Sequence, residues 1–233
     1  AARLRAPELR AAVEDEKEYW QQLSWAEVAE LPVDSMGSNR EEQSRTIEKG
    51  LSASETSRLL HEAPRAYGTE IEDLLLCALG RVLTRWAGGE YVAVDVEGHG
   101  RSELADDIDL TRTVGWFTTQ FPVLLHSQVG SLADEIESTK EMLRAIPRGG
   151  FGFGLLREQG SVRSLPQPAI AFNYLGQLDH VLSPGMGIRL SDSDIGLLRD
   201  PASTRPYLLD LNGRVEGGRL RMAWTYGSAI HDG

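Results

Sequence analysis

The sequence predicts an α/β protein in which a layered, mixed β-sheet is flanked by helices. Segments with one apolar helical face alternate along the chain with short β-rich runs, which is typical of such layers. Two β-rich runs, residues 207–215 and 219–226, flank Gly217-Gly218 and predict a closing hairpin. With 233 residues and 41% apolar content, the chain can bury a core as one large domain or two small ones.

The first third of the chain predicts two helices joined by a connector. Residues 6–25 carry apolar residues at mixed helical spacing and predict the first helix. Residues 32–46 are polar and rich in turn formers, which predicts an exposed connector. Ser52-x-x-Glu55 has the form of a capping box, so we expect the second helix to begin there and to stop near Pro64.

The clearest predicted element is a third helix that leads into a strand. Thr69-x-x-Glu72 repeats the capping-box pattern, and Gly88-Gly89 predicts the helix end. The predicted inward face consists of Ile71, Leu74, Leu75, Ala78, Leu79, Val82, Leu83 and Trp86. Residues 91–96 then predict a β-strand.

The second half predicts two more strands, a helix and a loop. Residues 118–125 predict a strand in which Pro122 favours a sheet edge or a bulge. Residues 131–146 predict a helix capped by Ser131, with Leu132, Ile136 and Leu143 inward. The glycine-rich residues 149–154 predict a flexible loop, and residues 168–174 predict a strand.

Charge and cysteine content exclude several classes of function. The net charge of −11, with basic residues scattered singly among acids, argues against nucleic acid as a partner. The single cysteine, Cys77, lies in an apolar helical run and is expected in the core. No apolar stretch approaches the roughly 20 residues that cross a bilayer, and no signal peptide opens the chain, so we expect a reducing, cytoplasmic setting and no membrane partner.

The most informative motif is Glu97-Gly98-His99-Gly100-Arg101, directly after the strand Tyr91–Val96. Ligand sites of α/β folds tend to lie at strand ends, and a partly desolvated carboxylate there is suited to proton exchange. A pairing of Glu97 with Arg101 that only holds the loop is an equal alternative. His99 is a candidate proton carrier or substrate contact, while hydrogen bonding to a backbone carbonyl is the structural alternative.

Two later motifs supply further candidate site residues. Trp116, Phe117 and Thr118 form either a piece of core or the wall of a tunnel for an extended substrate. In Asn173-Tyr174 the tyrosine hydroxyl is able to bond a substrate carbonyl or pass a proton, and a buried tyrosine with a satisfied hydroxyl is the alternative. The other histidines have no metal-ligand spacing, so no metal is expected.

In their order and spacing these motifs resemble the epimerization domains of nonribosomal peptide synthetases, within the condensation-domain superfamily. The helix signature at residues 72–80, the acid loop at 97–101 and the run 112–118 are similar to family signatures. The glycine-rich residues 147–154 and the run 172–177 complete the set. Condensation domains proper usually carry an Asn-Thr pair at Trp116-Phe117-Thr118 and lack the Phe172–Gln177 run, which favours the epimerization branch.

The resemblance implies a fold of two lobes, each like chloramphenicol acetyltransferase, with the active site in a tunnel between them. The family's His-His-x-x-x-Asp-Gly motif closes the first lobe, and this sequence has no adjacent His-His pair. We therefore expect residues 1–233 to be the C-terminal lobe, without the N-terminal lobe and the last helix. The isolated lobe is expected to be inactive.

The resemblance also implies a chemistry, in which an L-aminoacyl or peptidyl thioester is converted to the D form. Glu97 would remove or return the α-proton, and Asn173 and Tyr174 would line the site. His99, Trp116, Phe117 and Thr118 would contact the substrate. The substrate rides on the 4'-phosphopantetheine of a peptidyl carrier protein domain, so no directly bound cofactor is expected.

Two alternatives within the superfamily stay open at this point. One is a condensation-type acyltransferase lobe that forms peptide bonds between carrier-bound groups. The other is a non-catalytic domain that recruits another protein to a synthetase.

Overall fold

The computed structural model describes residues 11, 13–100, 112–127, 130–178, 196 and 198–233, and helices alternate with strands along them. In chain order the elements are α1 (Lys17–Gln22), β1 (Ser44–Gly50), α2 (Ala53–Ser57), α3 (Ala63–Tyr67), α4 (Ile71–Ala87), β2 (Tyr91–Gly98), β3 (Thr119–His126), α5 (Leu132–Arg144), α6 (Phe151–Gln159), β4 (Ile170–Gln177), β5 (Leu209–Glu216) and β6 (Arg219–Gly227). Short 3₁₀ helices cover Trp25–Glu27, Glu41–Gln43 and Pro147–Gly150, and Arg58–Glu62 is π-helical. The chain divides into two units: residues 1–30 with 73–168, and residues 31–72 with 169–233.

The first unit is built on the antiparallel pair β2 and β3. Val94 lies opposite Val123 in this pair, and both are buried. Helix α4 packs closely on β3 at Gly80, where an added Cβ would lie 3.3 Å from Leu125 Cβ. Trp20 of α1 is fully buried and meets the ring of Phe153 edge-on at 4.9 Å between centroids. The α1 and α6 helices therefore share an aromatic core.

The buried face of α4 is rotated from the predicted one. Leu74, Leu79 and Leu83 are buried as predicted. The prediction was wrong for Ala78, which is exposed, and for Val82 and Trp86, which are 58% and 43% exposed. Positions 73, 76, 77, 80 and 84 are buried instead, because the small Gly80 lets this side approach β3. Cys77 lies on the buried side as predicted, and burial raises the pKa of its thiol.

The second unit holds a mixed sheet with strand order β1-β6-β5-β4. The β1–β6 and β5–β6 pairs are antiparallel and the β4–β5 pair is parallel. The predicted hairpin is confirmed: Gly217 and Gly218 have φ of 58° and 68°, the left-handed values that a tight type I′ turn requires. Strand β5 alternates buried and half-buried residues, so one face lies on a core. The fold is therefore the mixed α/β class that the sequence predicts.

The predicted capping boxes had different outcomes. Ser52 with Glu55, and Ser131 with Asp134, form reciprocal capping boxes. The predicted box at Thr69 is wrong, because α4 begins at Ile71 and the buried Thr69 hydroxyl finds no hydrogen-bond partner among the described residues.

Two predicted helix ends were also wrong. Pro64 does not stop the second helix: the π-helical segment precedes it, and Pro64 then lies in the first turn of α3, where its missing N–H is tolerated. In the first helix, residues 1–10 and 12 lie outside the described residues. Helix α1 ends at Gln22 rather than Trp25, whose indole donates to the Trp20 carbonyl at 2.8 Å.

Three further predictions are corrected by the structure. The glycine-rich residues 149–154 are not a loop, because α6 begins at Phe151 and buries Phe151 and Phe153. The connector 32–46 runs into β1, which the sequence did not reveal because every residue from 45 to 50 is exposed. Ile136 is buried as predicted, but Leu132 is 50% exposed.

The strands of the second half lie close to their predicted positions. Strand β3 starts one residue later than predicted, and Pro122 sits in a strand whose described pairing is with β2 alone, as an edge position requires. Strand β4 likewise begins two residues after the predicted start. Within the described part of the chain, no helix is both long and apolar enough to cross a membrane.

A buried hydrogen bond in the second unit gives a first test. Thr56 is 1% exposed and its Oγ1 accepts the Leu220 N–H at 2.9 Å. We expect Thr56→Val to lower the free energy of unfolding by about 1–3 kcal/mol, because it leaves a buried donor unsatisfied. Urea denaturation of the variant measures the loss. Thr46→Val, at an exposed hydroxyl that bonds Thr225, is the control and should change little; equal effects would contradict the account.

Candidate functional site

Glu97 lies at the end of β2, half-buried, as the sequence predicts. Its cross-strand neighbour in the antiparallel pair is Gln120. Side chains two apart on a strand point to the same face, so Asp95 lies on the Glu97 side of β2. The strand thus presents two carboxylates on one face, one half-buried and one fully buried.

Two glycines fix the backbone that follows Glu97. A Cβ added at Gly98 would lie 2.8 Å from Thr119 Oγ1 and 3.5 Å from Phe121 Cε1. Gly100 has a φ of 60°, and a Cβ there would overlap the Phe117 carbonyl oxygen. Glycine is therefore required at position 100, where a left-handed backbone lies against the Phe117 carbonyl, while Gly98 lies close to the Thr119 side chain.

The predictions for the residues that follow Glu97 in the motif have different outcomes. His99 is exposed, between two glycines that pack against the chain. Arg101 lies outside the described residues, so its pairing with Glu97 stays a prediction.

The aromatic motif lines a cavity in the same unit. Trp116 is 89% exposed, so the alternative of a core residue is wrong for this side chain. Phe117 is half-buried and Thr118 is exposed. A cavity of about 400 Å³ is lined by these three residues together with Asp95, Gln120 and Phe153, among others. This volume suits a small organic group.

Asp95, which sequence reasoning did not select, belongs to a polar chain that connects this cavity to α6. Asp95 is 2% exposed, and its Oδ2 accepts a hydrogen bond of 2.9 Å from the Gln167 amide. Arg157 of α6 donates to the Gln167 carbonyl oxygen. The available signal was an aspartate between two valines in an apolar strand, where a buried charge needs partners.

Asn173 and Tyr174 lie in the second unit, on β4, and both are half-buried. In the parallel pairing they lie opposite Asn212 and Gly213. The Tyr174 ring packs over Gly213, whose added Cβ would lie 3.3 Å from Tyr174 Cδ2.

The hydroxyl of Tyr174 is unusual among the described groups. Its oxygen is buried and has no hydrogen-bond partner among the described residues, so the alternative of a satisfied hydroxyl is wrong there. Burial, and to a smaller extent the Glu72 carboxylate, raise the pKa of Tyr174. At neutral pH the group is therefore a protonated donor with no acceptor of its own.

A larger cavity runs along α4 but contains none of the predicted site residues. It has a volume of about 1080 Å³ and is lined by Ala78, Val82, Arg85 and Trp86, among others. We favour the smaller cavity, because it includes the cross-strand partner of Glu97 and the aromatic motif. Over the described residues, no group of three or more His, Cys, Asp or Glu side chains is placed to hold a metal ion.

Comparison with known proteins adds independent information. The family model "Condensation domain" matches residues 1–232. Chondramide synthase cmdD of Chondromyces crocatus is 40% identical over 220 residues, which is 93% of this chain and 6% of that protein. Tyrocidine synthase 2 of Brevibacillus parabrevis is 38% identical over 217 residues, which is 89% of this chain and 6% of that protein. The chain thus spans a small fraction of these relatives.

Among solved structures, the epimerization domain from the third module of tyrocidine synthetase B is similar over nearly the whole chain. The two share 33% sequence identity with a TM-score of 0.84. The match covers 99% of this chain and 52% of that domain.

The glycines after Glu97 give a test of this geometry. We expect Gly100→Ala to lower the free energy of unfolding by more than about 1 kcal/mol, since it meets both a left-handed φ and the Phe117 carbonyl. Gly154→Ala, in α6 with open space around it, should instead be neutral or stabilising by about 1 kcal/mol through helix propensity. Urea denaturation compares the two; a tolerated alanine at position 100 would refute the close approach.

The hydroxyl of Tyr174 gives a test in pH. Because the pKa of Tyr174 is raised in the folded protein, the unfolded chain loses its tyrosine proton at a lower pH than the folded protein does. The folded state therefore keeps its full stability below about pH 10, the pKa of an unfolded tyrosine, and loses this contribution as the pH rises towards the pKa of the folded state. Tyr174→Phe should therefore lessen the loss of stability above about pH 10. Denaturation midpoints measured against pH provide the readout, with Tyr67→Phe at an exposed ring as the control. Parallel curves for the wild type and Tyr174→Phe would contradict the burial of this hydroxyl.

Proposed function

Because this chain belongs to the condensation-domain family of nonribosomal peptide synthetases, we propose that it is the C-terminal lobe of an epimerization domain. The likeness to the tyrocidine synthetase epimerization domain supports this branch of the family. So do Trp116-Phe117-Thr118 and the Phe172–Gln177 run, which resemble epimerization signatures. The proposed reaction converts an L-aminoacyl or peptidyl thioester to the D form.

The observation that carries the proposal is Glu97, a half-buried carboxylate held at a strand end by the packing of Gly98 and Gly100. A carboxylate at such a strand end is one of the side chains that serve as general acids and bases. In the proposal, Glu97 takes the α-proton or returns it.

Tyr174 and Asn173 supply the second requirement, a donor for the developing oxyanion. Removal of the α-proton leaves a planar enolate whose negative charge sits on the former carbonyl oxygen. A protonated hydroxyl that has no acceptor among the described residues is able to donate to that oxygen. One such donor is worth about 3 kcal/mol in the transition state.

The proton balance of the reaction is simple. The C–H bond breaks, its electron pair moves into the enolate, and the proton goes to a base on one face. A proton returned from the opposite face restores the C–H bond with inverted configuration. No net oxidation occurs, so no redox cofactor is needed.

The substrate of the proposed reaction is carried on the 4'-phosphopantetheine of a peptidyl carrier protein domain. A pantetheine thioester is long, thin and partly apolar. The cavity walled by Trp116 and Phe117 matches such a group in character. We assign His99 and Thr118, both exposed, to contacts with the substrate.

A condensation-type acyltransferase lobe is the second candidate, and the match to the family model is compatible with it. Such a domain joins two carrier-bound groups and has no need to exchange the α-hydrogen with water. Exchange therefore separates the two activities.

The proposal predicts α-hydrogen exchange that depends on Glu97. The lobe joined to its native upstream segment is incubated in deuterated water with an L-aminoacyl thioester on its carrier protein. We expect deuterium uptake with formation of the D product, reduced at least about 100-fold by Glu97→Gln, since general acid–base catalysis contributes roughly 10²–10⁴-fold. Mass spectrometry and chiral analysis of the released amino acid give the readout.

The matched control is Glu90→Gln, at an exposed carboxylate just before β2. It should exchange as fast as the wild type. A folded wild type with a loaded carrier that takes up no deuterium would rule out the epimerase, and carrier-to-carrier acyl transfer would then identify the condensation activity.

A further inference from the structure

Arg148 has a backbone conformation that only glycine adopts easily. Its φ and ψ are 45° and 40°, and it is the one non-glycine residue with positive φ in the described part of the chain. Gly149 and Gly150 continue the same left-handed turn with φ of 55° and 79°. Such strain in a non-glycine residue persists only where its surroundings hold it, and it often marks a functional constraint.

The strained turn is held by an ion pair with Glu16, a residue of the same unit that is distant in the sequence. Arg148 Nη1 lies 3.0 Å from Oε1 of Glu16, whose side chain is 7% exposed. Burial raises the pKa of Glu16, and Arg148 opposes this shift. The helix after the turn also lies against Glu16, because a Cβ on Gly152 would overlap Oε2. The carboxylate thus meets the turn and the first residues of α6 together.

The opposite side of the turn packs on the strand end that carries Glu97. A Cβ on Gly150 would overlap the ring of Phe121, so the ring lies flat on this glycine. The same ring and the Gly149 carbonyl oxygen lie 3.5 Å and 3.9 Å from the position of a Cβ on Gly98. The turn therefore lies on Phe121 and faces the side of Gly98 on which a side chain would stand, next to Glu97.

We propose that the Glu16–Arg148 ion pair is a positioning device for Glu97, which presses the left-handed turn and Phe121 against Gly98. Glu16 and Arg148 touch no reacting atom and act only through this packing. The inference rests on the proposed function, since it gives a purpose to the exact placement of the Glu97 carboxylate. A displacement of about 1 Å of a catalytic group lowers the rate up to about 100-fold.

Arg148→Gly is the decisive variant, because glycine accepts the turn without strain and lacks the guanidinium that pairs with Glu16. In the deuterium-exchange assay of the whole domain, we expect kcat to fall about 10- to 100-fold with KM nearly unchanged. Arg148→Lys keeps the charge and should recover most of the rate. Glu16→Gln should match Arg148→Gly, and the double variant should be no slower than either, because all three remove one contact.

A second readout does not depend on activity. Backbone amide exchange of the peptide containing residues 97–100, followed by mass spectrometry, should be faster in Arg148→Gly and Glu16→Gln than in the wild type. The peptide covering β1, in the other unit, is the internal control and should not change.

The proposed function and the proposed positioning role can be refuted independently of each other. A wild type without α-hydrogen exchange removes the proposed function, while amide exchange still decides whether the pair holds the strand end. Unchanged amide exchange at residues 97–100, or an Arg148→Gly variant with the wild-type kcat and only a lower stability, would overturn the positioning role.

Discussion

The candidate site depends on the close packing of the chain that leaves β2 against β3 and the residues before it. Only glycine permits this packing at position 100, since a side chain there would collide with the Phe117 carbonyl, and a side chain at position 98 would crowd Thr119. The backbone position of Glu97 follows from it, because the next residue, Gly98, lies in this packed segment. Close packing of this kind makes a strand end rigid enough to carry catalytic chemistry.

The second unit holds its own candidate residue, Tyr174, by a different physical route. Strand β4 brings Tyr174 over Gly213, where the absence of a side chain leaves room for the ring. The ring is packed while its hydroxyl has no hydrogen-bond partner among the described residues. A buried donor without an acceptor costs stability, so its retention is understandable if a ligand supplies the acceptor. In the proposed reaction, Tyr174 is the donor to the oxyanion.

Local sequence patterns predicted the elements whose causes are local. The capping box at Ser52, the cap at Ser131 and the hairpin at Gly217-Gly218 depend on neighbouring residues and were confirmed. The helical start at Phe151 and the exposed strand β1 were missed, because burial of aromatic rings and pairing with a distant strand decide them. The position of Glu97 was predicted from the end of an apolar strand. The proposed support of Glu97 by Glu16 and Arg148 could not be predicted, since these two residues are far apart in the sequence and meet only in the fold.

The central claim, that this lobe belongs to an enzyme that inverts an α-carbon, is tested most directly by approach to equilibrium from both sides. The whole domain would be given carrier-bound L-aminoacyl thioester in one reaction and the D form in another, and the released amino acids would be separated by chirality. The account predicts that both reactions reach the same L/D ratio. Retention of the starting configuration in both, by a folded domain with loaded carriers, would contradict it.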